Sequence, residues 1–265
     1  MSTIIEAKGL AKTYLHPERP IVAFSNISFS VDEGQFVSIV GPSGCGKSTL
    51  LQILAGLLSS SDGEVRIDGE SVTGPMPGKI AVVFQDALLL PWRTSLSNVG
   101  LPLELQGVDK KLREKQSLDM LDLVGLADFA ERFPHELSGG MKQRVAIARG
   151  LVQDPRIVMM DEPFGALDEQ TRTRMGDELL RIWERTKKTI LLITHSLNEA
   201  LYLSDVVQVM GCNPGRIVDR LVVKLPRPRS IDMMGSESFG RMRNHIWHLI
   251  SADGKEPRSL GLVRE

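Results

Sequence analysis

The chain has 265 residues, with 32 Lys and Arg against 33 Asp and Glu, a formal net charge of −1. That length can bury one large core, and that balance argues against a polybasic surface for nucleic acid or anionic lipid. Two widely separated cysteines with no CxxC exclude a disulfide framework and a cysteine metal site, and no run of about eighteen apolar residues exists to span a membrane. The opening Ser2-Thr3-Ile4-Ile5-Glu6 lacks the charged start and apolar core of a signal peptide, so the expected compartment is the cytosol.

Residues 3–8 and 24–31 are predicted as antiparallel strands. Gln35–Val40 is a short apolar, β-branched run that suits a buried strand and is too short for a helix. Gly41-Pro42-Ser43-Gly44-Cys45-Gly46-Lys47-Ser48-Thr49 follows it, and Lys47–Leu54 opens a helical pattern. Strand, glycine-rich turn and helix in that order are the context a phosphate-binding loop requires. The glycines let backbone N–H groups converge on phosphate oxygens, and the helix N-terminus adds positive potential. Lys47 is expected at the β- and γ-phosphates, with the Ser48 hydroxyl on Mg²⁺. Cys45, at the same helix start, can have a lowered thiol pKa, in which case its alkylation would block nucleotide binding and excess Mg-ATP would protect it; for ordinary function a small buried residue is the preferred reading.

Gly63–Gly69 and Ile80–Phe84 are the next predicted strands. Between Gln85 and Asp154 the pattern turns helical, with helices at Ser95–Gln106, Lys110–Val124 and from Ser138 through Arg149, punctuated by Pro134 and the Gly139-Gly140 pair. Ser138 is a good N-cap, and the free N–H groups at Ser138-Gly139-Gly140 form a second anion site. Gly150, inside that helix, should weaken it by about 1 kcal/mol unless packing needs it. Arg156–Met160 then reads as a core strand ending in Asp161-Glu162-Pro163. Carboxylates at the C-terminal edge of a parallel strand face the ligand crevice of an open α/β sheet. Asp161 is placed to hold Mg²⁺ through water, and Glu162 to polarise an attacking water. Arg181–Thr186 leads back to a strand at Thr189–Thr194, followed by His195. Val206–Met210 and Arg216–Val223 close the core. Leu225-Pro226-Arg227-Pro228-Arg229 reads as a stiff linker and Phe239–Ile250 as a terminal helix, with a loose polar tail after Ala252.

These motifs together resemble the ATPase subunit of ABC transporters over roughly residues 3–225. The resemblance implies a P-loop NTPase (RecA-like) α/β core with an antiparallel β subdomain and an inserted α-helical subdomain. It divides residues 1–225 into a catalytic core (1–86 and 155–225) and a helical part (87–154), with residues 226–265 as a C-terminal linker and helix. Gly41–Thr49 matches the Walker A loop and Ile157–Asp161 the Walker B segment, with Glu162 as the catalytic glutamate. Gln85 matches the Q-loop glutamine that senses Mg²⁺, Ser138-Gly139-Gly140 the signature, Ala166-Leu167-Asp168 the D-loop and His195 the switch histidine. Tyr14 stands where the family stacks an aromatic ring on adenine. The implied catalytic set is Glu162, His195 and Gln85, and the implied metal set is Ser48, Gln85 and Asp161. The implied cofactors are ATP and Mg²⁺. ATP would lie between the loop of one chain and the signature of the other in a homodimer. Met141 and Ser196 depart from the commonest family residues without touching the chemistry, and Ser196 should still cap the next helix.

Leu89-Leu90-Pro91-Trp92-Arg93-Thr94, Asn213-Pro214-Gly215-Arg216-Ile217 and Leu225–Arg229 resemble ATPases of the nitrate, sulfonate and taurine uptake group. That implies an importer subunit on the cytoplasmic face of the membrane, with separate permease and solute-binding partners and no nucleic acid. Leu88–Trp92 would then be the socket for a permease helix. The alternative is a soluble non-transport ABC ATPase. Such proteins usually carry two cassettes or a long coiled coil, and neither is present.

Overall fold

The computed structural model describes residues 2–253, so the tail expected after Ala252 lies, apart from Asp253, outside the described residues. Two sheets organise the chain. The smaller pairs β1 (Thr3–Tyr14) with β2 (Ile21–Asp32) and with β4 (Asp62–Ile67), and β4 with β5 (Glu70–Ser71), all antiparallel. β1 and β2 run longer than the sequence pattern suggests. Register shifts between Ala7 and Leu10, and again around Lys12, break the alternation that marks a strand. The extension matters because it carries Tyr14 on β1.

The larger sheet runs in the order β10 (Arg216–Val222), β9 (Val206–Gly211), β3 (Phe36–Val40), β8 (Thr189–Thr194), β7 (Ile157–Asp161), β6 (Ile80–Val83). All neighbours are parallel except the β10–β9 pair. Parallel sheets are covered on both faces, which is why β3, β8 and β9 read as continuous buried runs. Register sets Val40 opposite Thr194 and Asp161 opposite Ile193, so the three central strands end at one edge. The motif residues follow from those ends.

Helix α1 (Lys47–Leu54) leaves β3 and packs against β7 and β8. Helices α2 (Ser95–Leu105), α3 (Lys110–Leu123) and α4 (Gly139–Leu151) pack on one another in the stretch between β6 and β7. At Gly150 a Cβ would meet Val83 Cγ2 at 3.4 Å and Ala81 Cβ at 3.5 Å, ordinary contacts, so packing does not demand the glycine. Helix α5 (Glu169–Thr186) is longer than the predicted fragment because its outward face is polar, and Asp168 caps it by accepting from Thr171 N at 2.9 Å. Ser196 caps α6 (Leu197–Leu203) as expected. No helix among the described residues is long and apolar enough to cross a membrane.

The predicted stiff linker is anchored. Arg227 donates to Asp205 and to Leu203 O, and lies over the Trp183 ring, 4.1 Å from its centre. Arg229 donates to the carbonyls of Leu201, Tyr202 and Ser204. Helix α7 (Glu237–Asp253) then packs on β9 and α6, burying Phe239 and Ile246 completely, each worth about 1.5–3 kcal/mol.

Candidate active site

The phosphate loop is built by what it lacks. Gly46 is the N-cap of α1, at φ 96, and no side chain caps the helix, so its first N–H groups stay open for a ligand. A Cβ on Gly46 would also press on Phe24 Cδ1 at 3.1 Å and Ala23 O at 3.3 Å. Lys47 is 5% exposed, and its ammonium donates to Gly41 O and Pro42 O, both at 2.9 Å. Pro42, Ser43 and Gly44 complete the turn before Cys45, and Thr49 Oγ1 shares a 3.3 Å hydrogen bond with the Tyr14 hydroxyl. Tyr14 thus stands beside α1, 40% exposed, with Lys12 Nζ 5.2 Å from its ring centre.

The carboxylates meet this loop from β7. Ser48 Oγ donates to Asp161 Oδ1 at 3.0 Å, and burial raises the Asp161 pKa against the lowering effect of that bond. Glu162 adopts φ 44, a left-handed conformation costly for a residue with a Cβ, and its backbone N–H donates to Ile193 O on β8. That twist turns its side chain towards Lys47 and His195. Oε1 lies 4.0 Å from Lys47 Nζ, and Oε2 accepts from His195 Nδ1 at 2.8 Å. A Cβ on Gly165 would sit 3.3 Å from Gln85 Nε2 and 3.5 Å from Glu162 Oε2, so Gln85 borders the same pocket. Lys47, Ser48, Asp161, Glu162, His195 and Gln85 are therefore brought together within one chain.

Ser138-Gly139-Gly140 are not joined to that group. Ser138 caps α4, accepting from Met141 N at 3.3 Å, and Ser138 and Gly139 are exposed. Their neighbours are Leu167, Thr171 and Met175, and no hydrogen bond among the described residues links them to residues 41–49. Ser138 and Gly139, at the start of α4, face outward, while Gly140 is buried.

Cys45 is the small buried residue of the preferred reading, and not an activated thiol. Its side chain is 1% exposed in the apolar cluster under α1, and that burial pushes the thiol up to about 11, overriding the helix terminus. We expect iodoacetamide at pH 8 to modify Cys45 in the folded protein at least about tenfold more slowly than in the unfolded chain, read by peptide mass spectrometry. Equal rates would place the thiol at the surface.

Several supports escaped the sequence reading. Gln143 Nε2 donates to Phe84 O at 3.0 Å, and Arg149 donates to Ala87 O at 2.7 Å and Leu88 O at 2.8 Å, so α4 holds the segment around Gln85 from both sides. Arg172 donates to the carbonyls of Phe164 and Leu167, bracing the turn that follows Glu162. The available signal was a polar side chain on an inward helix face, as Gln143 is, 3% exposed among buried aliphatics.

Residues 24–165 match the family model described as ABC transporter. The taurine import ATP-binding protein TauB of Rhizobium johnstonii is 50% identical over 235 residues, 86% of this chain and 88% of that protein. The aliphatic sulfonates import ATP-binding protein SsuB of Bacillus cereus is 42% identical over 242 residues, 91% of this chain and 94% of that protein. A dimeric, post-hydrolysis structure of an ATP-binding cassette bound to ADP and Pi superposes with a TM-score of 0.74 at 34% identity, covering 84% of this chain and all of that one.

Proposed function

This chain belongs to the ABC transporter family, as an ATP-binding, ATP-hydrolysing importer subunit, and from that premise we propose that it powers uptake of an aliphatic sulfonate, taurine or nitrate. It would do so on the cytoplasmic face of the membrane, under a permease fed by a separate solute-binding protein. The observation that carries the catalytic reading is the convergence of Lys47, Ser48–Asp161 and Glu162–His195 at one edge of the parallel sheet.

The roles follow from those contacts. Tyr14 stacks the adenine, beside the loop its hydroxyl already touches. Lys47 exchanges two loop carbonyls for β- and γ-phosphate oxygens. Ser48 Oγ and Asp161 Oδ1 are hard oxygen donors 3.0 Å apart, with Gln85 nearby, a set that fits Mg²⁺ alongside phosphates and water. Bound there, the ion would neutralise charge on the β- and γ-phosphates. Glu162 accepts a proton from the attacking water while His195 fixes the carboxylate. The partner subunit's Ser138, Gly139 and Gly140 cap the γ-phosphate with their open N–H groups.

For the permease we propose a groove of about 640 Å³ between β6, α2 and α4, lined by residues including Leu57, Met76, Ile80, Leu101 and Leu105. Arg149 lines it and donates to Leu88 O, so the groove is continuous with the segment after Gln85. Leu88 and Trp92 are 60% and 71% exposed there, while Leu89 packs into the core. We also propose the division into a core of residues 1–86 and 155–225 and a helical part of residues 87–154, with the groove at their junction.

The test is genetic. A strain lacking this chain should lose growth on taurine, an alkane sulfonate or nitrate as sole source of sulfur or nitrogen. Wild type should restore it and Lys47→Ala should not, because loss of charge-assisted phosphate bonds weakens ATP binding by about tenfold or more. Undiminished uptake of all three solutes in the deletion strain would reject the substrate class.

A further inference from the structure

We propose that Asp253, in the last turn of α7, is a positioning residue for the phosphate loop, so that the C-terminal helix helps set ATP affinity. The argument runs through the turn between β9 and β10. One carboxylate oxygen of Asp253 accepts from Cys212 N, and the other pairs with Arg216. Arg216 in turn donates to Cys212 O at 3.0 Å and to Pro214 O. The side chain of Asp253 is 7% exposed. A buried carboxylate satisfied on both oxygens holds both ends of a short turn at once.

The end of β9 and the turn that follows it back the nucleotide loop at one point each. Gly41 opens the phosphate loop, and a Cβ there would lie 2.3 Å from Met210 O. Gly215 has a Cβ position 2.2 Å from Cys45 O, inside the same loop. Gly215 also exchanges backbone hydrogen bonds with β2, donating to Ala23 O and accepting from Ser25 N, both at 3.0 Å. Ala23 and Phe24 are the residues against which Gly46 is packed. The contacts of Gly41 with Met210 O, Gly215 with Cys45 O and Gly46 with Ala23 O are backbone against backbone, while Gly46 also meets the Phe24 ring. A shift of the turn therefore presses on Cys45 directly, and on Gly46 through Ala23 and Phe24. Asp253 is the contact that ties the turn to α7, whose Phe239 and Ile246 are themselves fixed in the core. Loss of that contact frees the turn, and the phosphate loop loses its backing before any ligand arrives. The energy of ordering it then falls on ATP binding.

The proposal rests on residues 41–49 being the phosphate site. It is tested on the full chain by calorimetric titration with Mg-ATP, beside a melting curve. Asp253→Ala is expected to raise the Kd about five- to tenfold at a temperature well below its melting point. Asp253→Glu, which keeps the charge, should stay within about twofold of wild type. Arg216→Gln reads the same clamp from the other side, and Asp253→Ala with Arg216→Gln together should be no weaker than Asp253→Ala alone, as expected for partners in one contact. Wild-type Kd in Asp253→Ala, whatever its melting point, would overturn the clamp while leaving the loop assignment standing. A wild-type chain that bound no Mg-ATP would instead overturn the loop assignment and this proposal with it.

Discussion

Glu162→Gln is expected to bind Mg-ATP as wild type does, to turn over about 10²-fold more slowly or worse, and to elute as a dimer only when Mg-ATP is present. The contacts separate binding from chemistry. In the proposed roles phosphate would be met by the open N–H groups of α1 and by Lys47, whose present partners are the carbonyls of Gly41 and Pro42 and whose distance to Glu162 is 4.0 Å. None of these needs the carboxylate. Glutamine preserves the shape that fits the φ 44 backbone and can still meet His195, so the loop should not move. It cannot take a proton from water. A site that binds but does not cleave keeps its nucleotide, and nucleotide shared between two chains keeps them together. Size-exclusion chromatography with and without Mg-ATP, beside a phosphate-release assay, reads both effects. Hydrolysis at the wild-type rate would remove Glu162 from the base role. A monomer that held its nucleotide would mean that dimer closure needs the permease.

What the sequence disclosed and what it hid divide along physical lines. The sheet was legible where strands are buried on both faces, because runs such as Val158-Met159-Met160 have only one reading at that length. The proposed catalytic residues could be placed together because each follows such a run, where register brings the ends to one edge. Strand β1 was cut short in the reading because bulges near Gly9 spoil the alternation, though Tyr14 was still assigned through resemblance. The extent of α5 was missed because its outward face is polar and charged, and its buried residues are confined to the stretch from Met175 to Trp183. At two places burial decided more than the local pattern. Cys45 has a sequence position that suggests activation, yet its side chain turns into the core, and burial outweighs the helix terminus. Leu225–Arg229 read as a stiff linker, and its Arg227 and Arg229 bond carbonyls at the end of α6 and Asp205. Arginine can carry its charge inward when a cluster of oxygens waits there, and nothing in the local sequence announces that cluster.

The largest effect outside the catalytic carboxylate is expected at Gly139. Gly139→Asp should leave the isolated chain folded and able to bind Mg-ATP within about twofold of wild type, and should lower turnover by about 10²-fold or more. A Cβ on Gly139 meets only Leu167 Cδ2 at 3.4 Å, and the position is exposed, so the added carboxylate has room. At the first turn of α4 it even suits the helix dipole. Its harm lies in the molecule opposite. It fills the anion position offered by the free N–H groups and sets a negative charge against the γ-phosphate held by the other chain. A mixing experiment separates this from a folding defect. In a dimer of one Lys47→Ala chain and one Gly139→Asp chain, one site combines both lesions. The other combines an unaltered phosphate loop with an unaltered signature. Neither variant alone should hydrolyse ATP appreciably, while the mixture should recover part of the wild-type rate at chain concentrations that favour the dimer. Recovery on mixing is possible only if each site is assembled from two chains. A mixture no more active than its components, with both variants folded and the Gly139→Asp chain binding Mg-ATP, would show that Ser138-Gly139-Gly140 does not serve the partner's nucleotide.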